Sequence, residues 1–435
     1  MTMILHSTRH TAPEVTFREA LLRGLAPDGG LYLPTAIPRL SPSSMAGWHG
    51  LGIGEIAVRV LSHLVGDEFD REAFPALVRE AFNFPAPTVP VGNRISVLEL
   101  FHGPTMAFKD FGARFLARTF GYLLAERGDH ATILVATSGD TGSAVAQGFF
   151  GVPGVQVVVL YPAGKVSRFQ EAQMATLGGN VRAVRVPGTF DDCQRLVKEA
   201  FLDARLAALN LSSANSINIG RLLPQAVYYF ASWVDAGGPD AGEVIFAVPS
   251  GNLGNLTAGI IAQHMGLPAV RFIAASNVND VLPAYVASGA YAAKPAIATL
   301  SNAMDVGDPS NFPRLAQLHE EALDQLRANL TAVSISDVET RRVIRDVYGE
   351  CGYTLDPHGA VGMAAARRAR KESPEGPRII TLATAHPAKF GDVIQQELGV
   401  APAIPEAWRD WESRPLHAHD LSDLEYETFK RLLSE

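Results

Sequence analysis

The chain has 435 residues, of which 47% are hydrophobic and 19% are charged, and its formal net charge is -8 at pH 7. A chain of this length and composition buries a large core without disulfides or metals, and its negative charge argues against nucleic acid or an anionic membrane as the main partner. Cys193 and Cys351 lack metal-binding spacing, which predicts two buried thiols in a reducing compartment and no metal site. The first ten residues carry no apolar segment typical of a secretory signal, and no apolar run spans a bilayer, so we expect a cytoplasmic protein.

The first part of the chain differs from the rest. It combines amphipathic helical segments with scattered prolines and a turn at Asp28-Gly29-Gly30, which predicts a mostly helical N-terminal domain over residues 1–92. The stretch Pro85-Ala86-Pro87 indicates the end of this domain.

From residue 95 onward, short apolar runs alternate with helical stretches. The runs are rich in Val, Ile and Leu, and this alternation predicts an α/β fold with buried strands in parallel sheets. The predicted strands are residues 95–100, 132–136, 155–160, 181–186, 244–248, 270–274 and 379–383. We expect two α/β domains, a large one over residues 93–128 and 225–400 and a small one over residues 129–224, followed by a C-terminal segment over residues 401–435.

Lys109 follows the first predicted strand, in the first turn of a predicted helix. A Gly103-Pro104 turn separates the two elements. The helix dipole and burial both disfavour an ammonium group there, and a neutral amine is what Schiff-base formation requires. Gly112 and Ala113 are small and lie beside this lysine on a helix, which predicts room for a flat ring. An exposed lysine on an amphipathic helix explains the same segment.

Two glycine-rich loops connect predicted strands to predicted helices. Such loops present backbone N–H groups and a helix N-terminus to an anion. The loop over residues 136–142 adds the hydroxyls of Thr137, Ser138 and Thr141 and suits a carboxylate or phosphate. The loop over residues 249–256 suits a phosphate dianion, although it is neither a GxGxxG fingerprint nor a P-loop. A ligand-free turn explains either loop alone, but together with a reactive lysine they indicate pyridoxal phosphate.

Two further polar features follow. Residues 213–221 form a dense polar run ending in Arg221, which suits a phosphate or carboxylate, although an N-capping loop with an exposed arginine is an alternative. Thr384 follows the last predicted strand, at the sheet edge where α/β proteins bind ligands. Its hydroxyl is placed to meet a pyridine nitrogen, unless it faces solvent.

These segments together resemble the threonine synthase family of fold-type II pyridoxal-phosphate enzymes, in the longer form found in enteric bacteria and fungi. The resemblance extends over nearly the whole chain and is most specific at residues 7–9, 24–32, 101–110, 136–142, 215–218, 301–305 and 385–390. It implies a tryptophan synthase β-like fold and pyridoxal 5'-phosphate as cofactor. It also implies conversion of O-phospho-L-homoserine and water to L-threonine and phosphate, and a monomer.

The resemblance assigns roles to individual residues. It implies that Lys109 holds the cofactor covalently, that Asp140 faces the 3-hydroxyl of its ring and that Thr384 meets its pyridine nitrogen. The implied cup for the cofactor phosphate consists of Ser250, Gly251, Asn252, Leu253, Gly254 and Asn255. The implied substrate-binding residues are Thr137, Ser138, Thr141, Asn215, Ser216 and Arg221. Leu253 stands where relatives often carry phenylalanine, which affects the packing expected for the cup.

Other functions remain open at this point. A serine or threonine dehydratase, or a β-replacing synthase, shares the fold but acts on β-leaving groups, whereas the N-terminal domain and the run to Arg221 favour a phosphorylated γ-substrate. A non-catalytic protein would bind pyridoxal phosphate without turnover. A nicotinamide-dependent reductase is disfavoured because the chain lacks its glycine fingerprint.

Overall fold

A computed structural model describes residues 2–434 of the chain. Its strands are β1 Ile4–Ser7, β2 Val15–Thr16, β3 Tyr32–Pro34, β4 Thr88–Gly92, β5 Ile95–Glu99, β6 Ala131–Ala136, β7 Val155–Pro162, β8 Val181–Val186, β9 Leu211–Ser212, β10 Val244–Pro249, β11 Ala269–Ser276, β12 Leu330–Ser334, β13 Arg378–Ala383 and β14 Ala418–Asp420. Its α-helices are α1 Phe17–Arg23, α2 Pro42–Met45, α3 Ile53–Val65, α4 Ala73–Ala81, α5 Lys109–Arg127, α6 Asp140–Phe149, α7 Arg168–Ala175, α8 Phe190–Leu202, α9 Ile219–Leu222, α10 Ala226–Asp235, α11 Gly254–His264, α12 Val281–Ser288, α13 Phe312–Gln317, α14 Leu323–Asn329, α15 Asp337–Cys351, α16 Pro357–Glu372, α17 Gly391–Leu398 and α18 Tyr426–Ser434. A short 3-10 helix over Pro387–Phe390 follows β13.

Two sheets of parallel strands dominate the fold. The larger sheet has the order β12-β11-β10-β13-β5-β4, in which only the edge strand β4 is antiparallel to its neighbour. The smaller sheet has the order β14-β8-β7-β6-β9 and is parallel throughout. Each predicted strand is present, with ends within two residues of the prediction. The predicted α/β fold with parallel sheets is therefore confirmed.

The N-terminal region contains helices α1 to α4, as predicted, and also a small antiparallel sheet of order β2-β1-β3. These strands have only two to four residues, too few for a clear alternating pattern. Strand β4 joins the larger sheet, and β14 extends the smaller sheet from the C-terminal segment. The prediction of two buried thiols is wrong for one of them, because Cys193 is buried but Cys351 is exposed.

One apolar core connects the two parallel sheets. It includes Val135 of the smaller sheet and Phe246 of the larger sheet, both fully buried. Helices α5 and α6 pack closely across this core, since a Cβ on Gly148 would lie 3.1 Å from the carbonyl of Ala113. The helix that begins at Lys109 is thereby fixed against the helix that begins at Asp140. None of the helices in residues 2–434 is long and apolar enough to cross a membrane.

Gly259 of α11 tests this packing. A Cβ at Gly259 would lie 2.6 Å from Phe272 and 2.8 Å from Tyr229, two buried rings. Gly259→Ala is therefore expected to lower the free energy of unfolding by about 1–3 kcal/mol through overpacking. Gly349→Ala is the matched control, because a Cβ at this exposed helical position meets nothing within 4 Å; it is expected to raise the free energy of unfolding by about 0.5–1 kcal/mol. Urea titration followed by circular dichroism measures both, and changes of the same sign would contradict the packing described.

Candidate active site

Three adjacent strands of the larger sheet end at one edge. Strands β10, β13 and β5 are neighbours and run parallel. The loop over residues 250–255 follows β10, Thr384 follows β13, and the segment leading to Lys109 follows β5. Ligands of α/β proteins bind at the carboxyl ends of such strands. The predicted phosphate cup, the predicted ring contact and the predicted cofactor lysine therefore lie at the same edge.

Lys109 begins helix α5, as predicted. Its position is fixed by the neighbouring strand end, since the Phe108 N–H donates to the Thr384 carbonyl at 2.9 Å and Ala107 forms a β-bridge with Ala385. Burial lowers the pKa of Lys109 to about 8, opposed by the Asp140 carboxylate and reinforced by nearby positive charges. A substantial neutral fraction near physiological pH makes this amine nucleophilic.

A buried carboxyl group shapes the turn before this lysine. Asp110 accepts hydrogen bonds from the Thr105 N–H at 2.8 Å and from the Thr105 hydroxyl at 2.6 Å. Gly103 has no room for a side chain, because a Cβ would lie 2.4 Å from Asp110 Oδ2. Burial raises the pKa of Asp110 to about 6, although the Thr105 hydrogen bonds and the charge of Lys389 oppose the shift.

The small residues after Lys109 serve a different purpose from the one predicted. A Cβ at Gly112 would lie 2.5 Å from the Arg221 carbonyl oxygen and 3.2 Å from Arg221 Nε. Ala113 lies against Gly148 of α6. The expectation that these two residues leave room for a flat ring is therefore wrong, because protein atoms fill that space. Gly112 instead lets Arg221 approach the first turn of α5.

The loop over residues 250–255 is braced by its own side chains. The Ser250 hydroxyl donates to Asn255 Oδ1 at 2.6 Å, and Asn255 Nδ2 donates to the Pro249 carbonyl at 2.9 Å. A Cβ at Gly251 would lie 2.6 Å from Met304 Cα, so this position admits no side chain. The loop leads into the N-terminus of α11, where the first N–H groups have no intrahelical acceptor. This arrangement forms an anion cup of backbone amides.

Two residues of the cup have further structural roles. Asn252 Nδ2 donates to the Ser216 hydroxyl at 2.7 Å, and Asn252 Oδ1 accepts from the Ser310 N–H at 2.6 Å. This amide therefore joins the cup to the predicted substrate-binding run. Leu253 adopts a left-handed backbone conformation with φ of 61°, unusual for a residue with a side chain. Its side chain is only 1% exposed, so leucine packs into the core at this position.

The loop between β6 and α6 uses its hydroxyls in two ways. Thr137 Oγ1 accepts hydrogen bonds from the N–H groups of Gly139 at 3.0 Å and Gly142 at 2.9 Å. Thr137 is buried and braces the loop, whereas Ser138 is exposed and Thr141 is partly buried. Ser138 is thus the hydroxyl that this loop presents to solvent.

Asp140 begins helix α6 and forms a buried ion pair. Its Oδ1 lies 2.6 Å from Lys389 Nζ, and the same oxygen accepts a hydrogen bond from Gln170 Nε2 at 2.9 Å. Burial opposes ionisation of Asp140, but the ammonium groups of Lys389 and Lys109 outweigh it and hold the pKa well below its usual range. Asp140 is therefore a carboxylate at all physiological pH values.

The polar run over residues 213–221 contains buried atoms without partners. Arg221 is only 3% exposed, which excludes the exposed arginine considered as an alternative. Its Nη1 donates to the Ala214 carbonyl at 2.6 Å, but its Nε and the Asn215 Oδ1 have no hydrogen-bond partner among the described residues. Burial lowers the pKa of Arg221 to about 10, although Asp110 opposes the shift. Buried polar atoms without partners indicate a surface that binds a polar ligand.

Two buried cations, Lys389 and Arg314, were not predicted from the sequence. Lys389 belongs to a segment that carried the family resemblance, but nothing in the sequence distinguishes it from an exposed lysine. Arg314 is fully buried and donates to the Tyr32 and Ile217 carbonyls at 2.9 and 2.8 Å. Burial lowers the pKa of Arg314 to about 9. Arg314 ties the N-terminal sheet to the polar run, so the N-terminal region supports the site.

The parallel sheets, the lysine at their edge and the anion cup define a pyridoxal-phosphate-dependent enzyme. Residues 84–385 match the family described as pyridoxal-phosphate dependent enzyme. Residues 5–82 match the threonine synthase N terminus and residues 359–432 match the threonine synthase C-terminal region. The chain belongs to the threonine synthase family.

Individual relatives agree over the full length. The chain is 43% identical to threonine synthase of Escherichia coli over 96% of each chain. It superposes on the crystal structure of PLP-bound threonine synthase from Brucella melitensis with a TM-score of 0.93, at 39% identity over 99% of each chain. For threonine synthase from yeast the TM-score is 0.92, at 33% identity over 100% of this chain and 98% of that chain. The resemblance, the fold-type II class and the cofactor inferred from the sequence are confirmed.

The residues at the sheet edge fit pyridoxal phosphate. Lys109 supplies an amine with a lowered pKa, and the loop that contains Gly251 supplies amides in a cup closed to side chains. Asp140 supplies a fixed carboxylate, and Thr384, 6% exposed, lies next to the Lys109 segment. These residues thus suit the aldehyde, the phosphate and the polar ring atoms of the cofactor.

The lowered pKa of Lys109 predicts how the apoprotein takes up its cofactor. Only the neutral amine reacts, so the rate of covalent uptake should rise with pH and be half-maximal near pH 8, whereas a lysine at the ordinary value of 10.5 would give a midpoint well above pH 10. Borohydride trapping and mass spectrometry at a series of pH values measure the rate. The control Lys165→Ala removes an exposed lysine and should leave the profile unchanged. A midpoint above pH 10 would contradict the effect of burial on Lys109.

Proposed function

We propose that this chain converts O-phospho-L-homoserine and water to L-threonine and phosphate. The observation that carries the proposal is the buried Arg221 guanidinium beside Lys109, with one N–H left without an acceptor. A buried cation with an open donor suits a phosphate group. The names of the threonine synthase relatives support the same activity.

The cofactor and the substrate occupy different parts of the site in this proposal. The cup over residues 250–255 would hold the cofactor phosphate and Lys109 its aldehyde carbon, while Asp140 would serve its 3-hydroxyl and Thr384 its pyridine nitrogen. The substrate-binding residues are those of the two loops from the smaller sheet: Thr137, Ser138, Thr141, Asn215, Ser216 and Arg221. The Asn252–Ser216 hydrogen bond of 2.7 Å supports a cofactor phosphate and a substrate phosphate in adjacent positions.

We further propose the division of labour between the domains. Residues 93–128 and 225–400 bind the cofactor, residues 129–224 bind the substrate and close on it, and residues 1–92 and 401–435 support them. We also propose a monomer, as the resemblance to the longer form of the family implies. A free thiol at the exposed Cys351 supports a reducing compartment such as the cytoplasm.

The chain's own residues have distinct tasks in the reaction. Pyridoxal phosphate, when bound, supplies an electron sink for the substrate carbons. Lys109 Nζ removes the proton from the substrate α-carbon and moves protons at the β- and γ-carbons. A pKa of about 8 lets one amine act as both base and acid. Arg221 binds the departing phosphate and stabilises its growing charge. Closure of the smaller domain excludes bulk water other than the molecule added at the β-carbon.

Replacing Lys109 separates this enzyme from a passive cofactor-binding protein. Lys109→Ala is expected to reduce phosphate release from O-phospho-L-homoserine by at least about 1000-fold, because one group performs several proton transfers. Lys165→Ala, at an exposed position, should retain full activity. Full turnover by Lys109→Ala would contradict proton transfer by Lys109. Release of keto acid from L-threonine or L-serine at a higher rate than phosphate release would instead assign the chain to the dehydratases.

Arg221 distinguishes substrate binding from cofactor binding. Arg221→Ala is expected to lower kcat/KM for O-phospho-L-homoserine by about 10- to 100-fold, the effect of one charged hydrogen-bonding group. Cofactor occupancy, read from the visible absorbance, should change less than about twofold because the cup lies on a different loop. Arg409→Ala, at an exposed position, is the control. Equal losses of substrate use and cofactor occupancy would show that Arg221 is structural.

A further inference from the structure

A second lysine lies in the site without a task in the proposed reaction. Lys389 Nζ is 2.6 Å from Asp140 Oδ1, and the two side chains are 0% and 4% exposed. An ion pair withdrawn from water to this extent costs desolvation energy and contributes little net stability. Lysine is among the residues least often buried. A buried Lys389 is therefore expected to orient a neighbouring group or to influence its protonation.

The ammonium group is held from several sides. Lys389 lies in the 3-10 helix Pro387–Phe390, whose first turn is capped because the Ala388 N–H donates to His386 Nδ1 at 3.1 Å. Burial, reinforced by His102, lowers the pKa of His386 to about 4, so the ring remains a neutral acceptor near pH 7. Lys389 Nζ also donates to the Thr105 carbonyl at 2.9 Å. This ties it to the turn that precedes Lys109.

The Asp140 carboxylate is also held by several contacts. Oδ1 of Asp140 receives both Lys389 Nζ and Gln170 Nε2. Gln170 packs so closely that a Cβ at Gly139 would lie 2.5 Å from its amide. The helix dipole at the start of α6 adds favourable potential for a negative charge. The Lys389 and Gln170 contacts are both on Oδ1, so they restrain the carboxylate through one oxygen.

The ammonium groups of Lys389 and Lys109 both attract the Asp140 carboxylate. Its carboxylate attracts the proton of Lys109, whereas the charges of Lys389 and Arg221 repel it. Without Lys389, the same carboxylate would pair with Lys109 and keep that amine protonated. Lys389 thus pairs with the carboxylate that would otherwise favour the protonated form of Lys109.

We propose that Lys389 is a positioning residue, whose ammonium holds the Asp140 carboxylate towards the cofactor's 3-hydroxyl and prevents it from closing onto the Lys109 amine. This inference rests on the proposed roles of Asp140 and Lys109 but requires no particular substrate. The charged or titratable groups that face this cluster are Lys109, Asp110, Asp140, Arg221 and His386.

The pH profile of covalent cofactor uptake by the apoprotein tests the proposal. Lys389→Met keeps an unbranched side chain, one atom shorter, and removes the charge. It should move the midpoint upward by at least about one pH unit because Asp140 then favours the protonated form of Lys109. Lys389→Arg keeps the charge and should stay within about half a unit of the wild type. Lys389→Met/Asp140→Asn removes both charges and should bring the midpoint back down.

A purely structural role gives a different result. It would lower Tm and cofactor occupancy in Lys389→Met while leaving the midpoint of uptake unchanged, and that outcome overturns the proposal. If Lys389→Met does not fold, Asp140→Asn and the double variant decide. In Asp140→Asn, Lys389 keeps its charge and repels the Lys109 proton with no carboxylate to offset it. The uptake midpoint of Asp140→Asn must therefore lie below that of the double variant, which lacks the Lys389 charge. Equal midpoints would overturn the proposal. These measurements involve no substrate, so failure of the proposed threonine-forming reaction would not affect their outcome.

Discussion

The amine of Lys109 shares a buried environment with two other cations, Lys389 and Arg221, and with the carboxylate of Asp140. Burial penalises a charge, and like charges nearby add to that penalty, whereas one carboxylate only partly compensates. The balance lowers the pKa of Lys109 to about 8. A lysine in water would be almost entirely protonated at neutral pH, so the nucleophile exists because the fold brings these groups together.

The fold brings them together at the junction of its two parallel sheets. Lys109 and Asp140 each begin a helix, and the close approach of α5 and α6 at Ala113 and Gly148 sets the distance between those helix starts. Gly112 permits the matching approach of Arg221. A side chain at either glycine would force apart elements that carry charged groups of the site. Packing between these helices therefore controls the electrostatics of the amine.

The sequence predicted the parts of the site that depend on local structure. Fully buried parallel strands leave continuous apolar runs, and the Gly103-Pro104 turn indicated where the helix of Lys109 begins, so these elements were found. Strand β4 contains a proline and is partly exposed, and β9 has only two residues, so neither has a recognisable pattern. Contacts between segments distant in the sequence could not be predicted, because they depend on the tertiary structure. Lys389 is buried in a pair with Asp140, which begins helix α6 after a strand of the other parallel sheet.

Gly112 is a second position where the sequence could not identify the contacting group. Its small size correctly indicated that something approaches the helix beside Lys109, but only the structure identifies it as Arg221 and not a cofactor ring. The difference changes the chemistry, because an arginine at that point adds to the repulsion of the Lys109 proton and has a buried N–H without an acceptor among the described residues. Near pH 7 the described cluster holds Lys389, Arg221 and a partly protonated Lys109 against the carboxylate of Asp140 and a mostly ionised Asp110, whose pKa is about 6. The remaining excess of buried positive charge favours the binding of anions, and a phosphorylated cofactor is such a ligand.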